Sequence, residues 1–396
     1  VEPVLTLRPG RERSVLRGHP WLFTGAVAGV VGATSAGCTV QVRDASGVVL
    51  GRAAYSPDSQ LCARMWTFDD ATTVDDAFVA SRIEAAAARR DALGLGHRLG
   101  HEATRLVFSE ADGVPGLVAD RYGDTVVVQL TTTGADQWRD VIADALVGLP
   151  GVRRVYERSD ADTRRREGLE ERIGLLRGDA IEGRTTITEG PWRFLVDVAE
   201  GHKTGFYIDQ RNSRAALAPL CSGRDVLNAF AYTGAFSVVA AHAGAASVTH
   251  LDSSGPALAL AAENLALNGL DTGVTLEADA FTELRRMRDR RASYDLIILD
   301  PPKLAASAKQ VDRATRAYKD LNLLALKLLR PGGILVTFSC SGSVSADLFQ
   351  KVVAGAAVDA RRDARIVGRL AQPADHPVPL AFPEADYLKG LVVQVD

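Results

Sequence analysis

The residues best placed to do chemistry in this chain end two successive apolar runs. Tyr294-Asp-Leu-Ile-Ile-Leu-Asp300 runs into Pro301-Pro302-Lys303, and Gly333-Ile-Leu-Val-Thr-Phe-Ser339 runs into Cys340-Ser341-Gly342. Both runs read as buried strands, with a helical stretch from Asp312 to Arg330 between them. Strand, crossover helix and parallel strand bring the chain back to one sheet. Asp300 and Cys340 are therefore expected side by side at the carboxyl ends of neighbouring strands, the edge at which open α/β sheets bind ligands. A carboxylate and a thiol there suggest covalent chemistry on an electron-poor ring.

The elements that must position this pair form a regular alternation. Strands are expected at Asp225–Phe230, Ser247–Asp252, Val274–Leu276, Tyr294–Asp300 and Gly333–Phe338. Helical stretches separate them at Ala235–Ala243, Ser254–Asn268, Phe281–Arg290 and Asp312–Arg330. That pattern predicts an α/β fold, a doubly wound Rossmann-like sheet with helices on both faces. The first strand leads into Asn228-Ala-Phe-Ala-Tyr-Thr-Gly234, a tight turn that lets backbone approach a ligand. The second ends in Asp252, about 20 residues on, where a carboxylate can accept hydrogen bonds from ribose hydroxyls. Asp279-Ala-Phe281 follows the third and could meet an adenine amine and its face. Each feature alone is also what a capped helix or a turn requires. Their succession at three consecutive strand ends points to an adenosyl ligand.

Upstream, short β-type runs at Val4–Leu7, Cys38–Arg43, Val48–Ala54 and Leu61–Trp66 predict a small all-β module over 1–70. Asp75 reads as the N-cap of an Ala/Arg helix that ends near Leu93, at Gly94 and Gly96. With strand-like runs at Arg105–Phe108, Leu117–Asp120, Thr125–Leu130 and Val152–Tyr156, it makes a central α+β module over 71–185. Residues 186–396 form the third domain. A net charge of -3 over 396 residues gives no global sign of nucleic-acid binding, so any such surface must be local. Cys38, Cys62, Cys221 and Cys340 have neither metal nor disulfide spacing, which suits a reducing compartment and predicts no metal. No signal peptide is read at the N-terminus, and Leu227–Leu251 is too polar for a membrane span. The expected location is the cytoplasm.

Several segments carry a closer resemblance. Leu16-Arg-Gly-His-Pro-Trp-Leu-Phe23, Glu110-Ala-Asp-Gly-Val-Pro-Gly-Leu-Val-Ala-Asp-Arg-Tyr-Gly123 and Gly201-His-Lys-Thr-Gly-Phe-Tyr-Ile-Asp-Gln-Arg211 are the first three. Asp300-Pro-Pro-Lys303, Ser339-Cys-Ser341, Asp375-His-Pro377 and Tyr387-Leu-Lys389 complete the set. Together they resemble the bacterial 23S ribosomal RNA 5-methylcytosine methyltransferases, which join a PUA domain to a class I S-adenosylmethionine-dependent methyltransferase domain. The resemblance spans nearly the whole chain, with His202 standing where the family has Gln. It implies S-adenosylmethionine as cofactor, with Lys203, Thr204, Phe206 and Gln210 bordering its pocket. It also implies Asn228 and Gly234 under the methionine, Asp252 on the ribose, Asp279 and Phe281 on the adenine, and Asp300 at the same edge. The implied partner is 23S rRNA, protein-free or in an early assembly intermediate; a homodimer is compatible with the family.

Carbon 5 of cytosine is too weak a nucleophile to take a methyl group directly. A thiolate adding at carbon 6 makes the ring enamine-like and splits the hard step in two. Cys340 is the cysteine placed for this, whereas Cys38, Cys62 and Cys221 fit the ordinary buried role. Lys303 is a candidate for the positive charge that lowers a thiol pKa. Asp300 could hydrogen-bond the ring at N3 and the exocyclic amine. No second cysteine stands beside Asp300, so the group that removes the carbon-5 proton is unassigned. Alternatives remain, among them a small-molecule methyltransferase, which would need no PUA-like module. Exocyclic-amine methyltransferases share the Asp-Pro-Pro segment but carry an aromatic residue where Lys303 stands, and a non-catalytic RNA-binding assembly factor would not need Cys340. For the RNA itself, Arg8, Arg11, Arg13 and Arg17 crowd the first module, Arg153, Arg154, Arg158 and Arg164–Arg166 the second, and a run from Arg285 to Arg291 the third. Arg8, Arg11 and Arg17 are the expected RNA contacts.

Overall fold

The computed structural model describes residues 2–95 and 102–396, so Gly96 lies outside the described residues. The chain forms two compact units. One takes the residues up to Gly190 with Val196–Ile208 and Ala374–Ala385; the other takes Pro191–Leu195, Asp209–Pro373 and Asp386–Asp396.

The first unit holds two sheets. One is six-stranded, in the order Trp21–Leu22, Ala63–Thr67, Val49–Tyr55, Thr39–Arg43, Val4–Leu7, Val27–Val31. Leu5, Leu7, Val40, Val42, Ala53 and Met65 fill its core. Four strands match runs marked in the sequence. Trp21–Leu22 is too short to show a period, and the edge strand Val27–Val31 carries Ala and Gly and is mostly exposed. The other sheet has five strands, in the order Arg172–Arg177, Arg154–Ser159, Thr125–Leu130, Leu117–Tyr122, Ala103–Phe108. Helix Asp76–Ala92 packs on it, capped where Asp75 accepts from the Phe78 N–H at 2.9 Å.

Buried ion pairs join these parts. Arg64 pairs with Glu110 and Glu167, and Trp21 Nε1 donates to Glu110 at 2.9 Å. Buried Arg90 grips both oxygens of Asp112, at 2.6 and 2.7 Å, and donates to the Asp375 carbonyl at 2.8 Å. That last bond, with Trp21 packed edge-on against Phe382, explains why Ala374–Ala385 belongs to this unit although it lies far along the sequence.

The second unit is built on a seven-stranded sheet in the order Val274–Glu277, Ser247–Asp252, Asp225–Ala229, Tyr294–Leu299, Leu329–Ser339, Lys389–Val395, Ala364–Leu370. The first five run parallel, as expected, while Lys389–Val395 is antiparallel to both its neighbours. Successive residues feed opposite cores. Leu227, Ile297, Leu299 and Leu335 pack with Tyr318, Leu321 and Phe349 on one face. Val226, Leu296, Ile298, Ile334 and Val336 pack with Phe236 and Ala240 on the other. Strands covered on both faces need continuous apolar runs, which is why the sequence reveals them. The strand order reverses between Asp225–Ala229 and Tyr294–Leu299, creating a switch point whose crevice opens at the carboxyl ends of these strands.

Helix Gly255–Leu267 is anchored to the turn beside that crevice by fully buried Asn264. Its amide donates to the Thr233 carbonyl at 2.9 Å and its oxygen accepts the Leu195 N–H at 2.7 Å. Asn264→Ala would leave both backbone groups without those partners. We expect a loss of about 2–4 kcal/mol of unfolding free energy, read from urea titration; a loss below about 0.5 kcal/mol would mean that water or neighbours replace both bonds.

Candidate active site

The crevice begins with the turn after the first strand of this sheet. Phe230, Tyr232 and Gly234 all have left-handed backbone conformations, with φ of 63°, 48° and 76°. Such a cluster costs free energy and persists only where the surroundings impose it. Here the Tyr232 N–H donates to Asp252 Oδ2 at 2.8 Å, the Ala231 N–H to the Leu251 carbonyl at 3.0 Å, and Ser254 N–H to Asp252 Oδ1 at 2.9 Å. Asp252 thus binds one backbone donor from the turn and one from the start of the next helix. Each oxygen keeps a lone pair that could receive a ribose hydroxyl. Gly234 also faces helix Gly255–Leu267 so closely that a Cβ there would sit 2.7 Å from Ala261 Cβ.

Among the buried side-chain polar atoms with no hydrogen-bond partner among the described residues are two on residues expected at the cofactor. Asn228, fully buried, donates to Ser237 Oγ at 2.9 Å, but its Oδ1 is unmatched. Gln210, 2% exposed, has an unmatched Oε1. Each oxygen is thus able to accept a hydrogen bond from a polar ligand group. Thr233, whose buried Oγ1 is also unmatched, was not singled out from the sequence. Its place inside the Gly turn is the signal that could have found it. Farther along the edge, Asp279 caps helix Ala280–Asp289, its Oδ1 accepting from the Thr282 N–H and hydroxyl at 2.9 and 2.7 Å. Those hydrogen bonds hold its carboxyl below the usual range. Phe281 and Phe230, both half-buried, meet edge to face at 6.4 Å. An anionic acceptor beside two aromatic rings suits an adenine, and the set as a whole fits an adenosyl ligand.

Lys203, Thr204 and Phe206 lie in the first unit. Lys203 is exposed, with a left-handed φ of 54° and its ammonium 4.6 Å from the Tyr207 ring centre. Thr204 is buried, and its hydroxyl donates to Asp120 Oδ2 at 2.7 Å and meets the Tyr122 hydroxyl at 2.9 Å. Tyr122 also donates to the Phe206 carbonyl at 3.1 Å. The Lys-Thr-Gly-Phe segment is thereby fixed to the central sheet, and the Thr204 hydroxyl serves that anchorage.

On the chemical side, the strands ending in Leu299 and Ser339 are parallel neighbours, with Leu299 opposite Thr337. Half-buried Cys340 places its Sγ 4.0 Å from the Pro301 carbonyl oxygen, next to Asp300 in sequence. Lys303 is exposed. Behind the thiol, buried Ser341 ties the two strand ends together. Its Oγ accepts the Ala305 N–H at 3.1 Å and shares a hydrogen bond with the Tyr318 hydroxyl at 3.1 Å. Its carbonyl accepts from Lys389 Nζ at 2.8 Å. Lys389, 8% exposed, is a second cation beside the cysteine and lies in register with Ser339. Sequence reading assigned it no role, because only the antiparallel pairing brings it there. Of the other cysteines, Cys38 is half-buried, not buried as expected, while burial pushes the Cys62 thiol up and that of Cys221 up to about 12.

The arginine groups separate sharply. Arg11, Arg13 and Arg17 are exposed and in no ion pair among the described residues, and Arg8 donates to the Val27 carbonyl. In the central module Arg158 and Arg164 are buried. They serve the Val198 and Gly201 carbonyls and Asp160 in one case, the Leu130 carbonyl and Asp136 in the other. That corrects their reading as an RNA footprint: a buried guanidinium cannot meet phosphate. In the third run, Arg285 pairs with Asp320, Arg286 and Arg290 with Glu283, and Arg288 with Asp289.

Comparison with known proteins agrees with this geometry. Residues 163–393 match a family described as S-adenosylmethionine-dependent methyltransferase, and residues 5–68 match a PUA-like domain. The chain is 49% identical over 394 residues to ribosomal RNA large subunit methyltransferase I of Shewanella frigidimarina, covering 99% of each. The Aeromonas hydrophila protein of the same name is 47% identical over 388 residues, covering 97% of each. Among solved structures, a candidate SAM-dependent methyltransferase from Streptococcus mutans superposes with a TM-score of 0.85 at 23% identity, covering 99% of this chain and 100% of that one. This last likeness is one of fold.

Two glycines test the turn. Gly234→Ala places a methyl against Ala261 in a left-handed residue, whereas Gly269, also left-handed at φ 69°, has open space around its Cβ position. Gly269→Ala should cost about 1–2 kcal/mol and leave cofactor affinity unchanged. Gly234→Ala should cost about 1–3 kcal/mol more and weaken S-adenosylmethionine binding at least about tenfold, a change of about 1.4 kcal/mol in calorimetric titration. Equal effects from both variants would remove the turn from the cofactor site.

Proposed function

This chain belongs to the S-adenosylmethionine-dependent methyltransferases, and from that premise we propose that it methylates carbon 5 of a cytosine in large-subunit ribosomal RNA. The observation that carries this reading is Cys340 at a strand's carboxyl end, its sulfur 4.0 Å from the Pro301 carbonyl of the Asp-Pro-Pro-Lys loop. The substrate class rests on full-length relatives whose names give large-subunit ribosomal RNA.

Asn228, Gln210, Gly234, Asp252, Asp279 and Phe281 would hold the cofactor, by the buried acceptors, close backbone and aromatic edge described above. S-adenosylmethionine, when bound, supplies an electrophilic methyl group on a sulfonium. The protein's own task is to make carbon 5 nucleophilic. The Cys340 thiolate adds at carbon 6, forming a C–S bond and pushing an electron pair toward carbon 5. Asp300 accepts from the exocyclic amine and from protonated N3, stabilising the charge that the ring gathers. After carbon 5 has taken the methyl group, its proton leaves to a base, the C5–C6 double bond reforms and the thiolate departs. Asp300 is also at the edge where the cofactor's methyl group must arrive, so it can serve both partners. Lys303 stands where exocyclic-amine methyltransferases carry a ring for stacking on the target base. An aliphatic ammonium cannot stack, and that favours carbon over nitrogen as the acceptor.

An enzyme that modifies a base must find it unpaired or take it from the stack. Exposed Arg11, Arg13 and Arg17 on the PUA-like module, with Arg8 beside them, are the proposed phosphate contacts.

The test combines product and adduct. Labelled methyl should appear at cytosine carbon 5 of protein-free large-subunit rRNA, mapped by nucleoside mass spectrometry. Cys340→Ala should lower the rate on the order of 10⁴-fold or more, as loss of a covalent nucleophile does. RNA carrying 5-fluorocytosine should trap a denaturation-stable complex with the wild type and none with Cys340→Ala, because fluorine cannot leave as a proton does. Label on an exocyclic nitrogen, or full activity in Cys340→Ala, would overturn the mechanism.

A further inference from the structure

Cys340 has two cations in its surroundings, and they differ in solvation. Lys303 is exposed, at the end of the Pro301-Pro302 loop. Lys389 is 8% exposed, opens the antiparallel strand Lys389–Val395 opposite Ser339, and donates through Nζ to the carbonyl of Ser341 at 2.8 Å. The amino group is therefore pinned one residue from the thiol. A buried charge acts through a lower effective dielectric and is screened little by salt, so its field at a neighbouring sulfur far exceeds that of an exposed one.

We propose that Lys389 is the positioning residue that holds Cys340 as a thiolate. The step is a simple ionisation: the S–H bond breaks, its electron pair stays on sulfur, and the proton passes to solvent. This deepens the reading of Cys340 as nucleophile and rests on it for its catalytic consequence, although the ionisation itself does not.

The other groups around the thiol are consistent with that role. Burial lowers the Lys389 ammonium below the usual lysine range, while Asp386 and the Cys340 sulfur draw it back up and Lys303 pushes it down. Cys340 and Lys389 therefore favour each other's charged forms. Tyr318, from helix Val311–Leu328, also faces the cysteine; burial raises its hydroxyl above the ordinary range, so it stays neutral and does not oppose a thiolate. Asp300, next to Pro301, is the one acid in the adjoining loop and works against ionisation. A cation beyond exposed Lys303 is what the site needs to offset it. The Ser341 carbonyl gives Lys389 a fixed acceptor, which keeps the ammonium from swinging out to water.

The experiment reads the thiol directly. The full-length protein is alkylated with iodoacetamide across pH, and modification of the Cys340 peptide is followed by mass spectrometry. The wild-type midpoint should fall below the usual thiol value of about 8.5. Lys389→Gln, which keeps a donor for Ser341 but loses the charge, should raise the midpoint by about one unit or more, so that alkylation below both midpoints slows about tenfold. Lys389→Arg should restore most of the rate, which a purely structural role would not require. Lys303→Gln should move the midpoint by less than Lys389→Gln does. A wild-type measurement keeps the idea falsifiable even if a variant does not fold. Raising salt from about 0.05 to about 1 M should leave the midpoint in place if the cation is buried. A folded Lys389→Gln with an unchanged midpoint, or a wild-type midpoint that climbs a unit with salt, would overturn the proposal. Loss of methylation in Cys340→Ala with no midpoint shift in Lys389→Gln would sink this inference alone and leave the proposed function standing.

Discussion

The strand Leu329–Ser339 is the constraint on which the rest of the site depends. It lies between Tyr294–Leu299, with which it is parallel, and Lys389–Val395, with which it is antiparallel. Ile334, Val336 and Phe338 fill one core and Leu335 the other, so both faces are committed. Side chains alternate with period two, and a one-residue slip would exchange the faces and expose each core to the wrong partners. Hydrophobic burial therefore fixes the position of a residue that is not itself in the core. Cys340 stands one step beyond the last ladder pair, Ser339 with Lys389, and inherits its place from them. The same register delivers the thiol, the Asp-Pro-Pro-Lys loop and a buried ammonium to one edge. Ser341 then closes the arrangement with bonds toward all three neighbouring elements, to Ala305, Tyr318 and Lys389.

The cofactor edge is organised by a different economy. Three left-handed residues within five positions of the turn, Phe230, Tyr232 and Gly234, are unfavourable on their own. Asp252 offsets this by accepting one N–H from the turn and one from the start of the next helix. The carboxylate that would meet a ribose is thus also what shapes the loop around it. Asn228 adds to this rigidity through Ser237 while keeping an unmatched oxygen.

How much of this could be read from the sequence follows from which interactions are local. The strands Tyr294–Leu299 and Leu329–Ser339 were legible because burial on two faces demands unbroken apolar runs, as in Leu296-Ile-Ile-Leu299. The Asp75 cap was legible because a cap is a contact three residues long. Strands Ala364–Leu370 and Lys389–Val395 went unread, although Leu391-Val-Val393 is apolar, because an antiparallel addition to a parallel sheet leaves no alternation to follow. Lys389 was hidden for the same reason: its neighbours are set by pairing with a strand some fifty positions earlier, as the bond to Ser341 illustrates. Likewise the membership of Ala374–Ala385 in the first unit depends on Arg90 reaching the Asp375 carbonyl, a contact that no local pattern announces.

The arginines show how far residue type alone can mislead about a partner. Arg90, Arg158, Arg164 and Arg214 are all buried, an unusual fate for the most strongly basic side chain. Arg90, Arg158 and Arg164 bind backbone carbonyls and carboxylates at once, which the five-donor guanidinium can do and an ammonium cannot. Basic content spent on internal structure is not available to a phosphate backbone. With a net charge of -3, the chain lacks the broad positive field that draws proteins to nucleic acid unselectively.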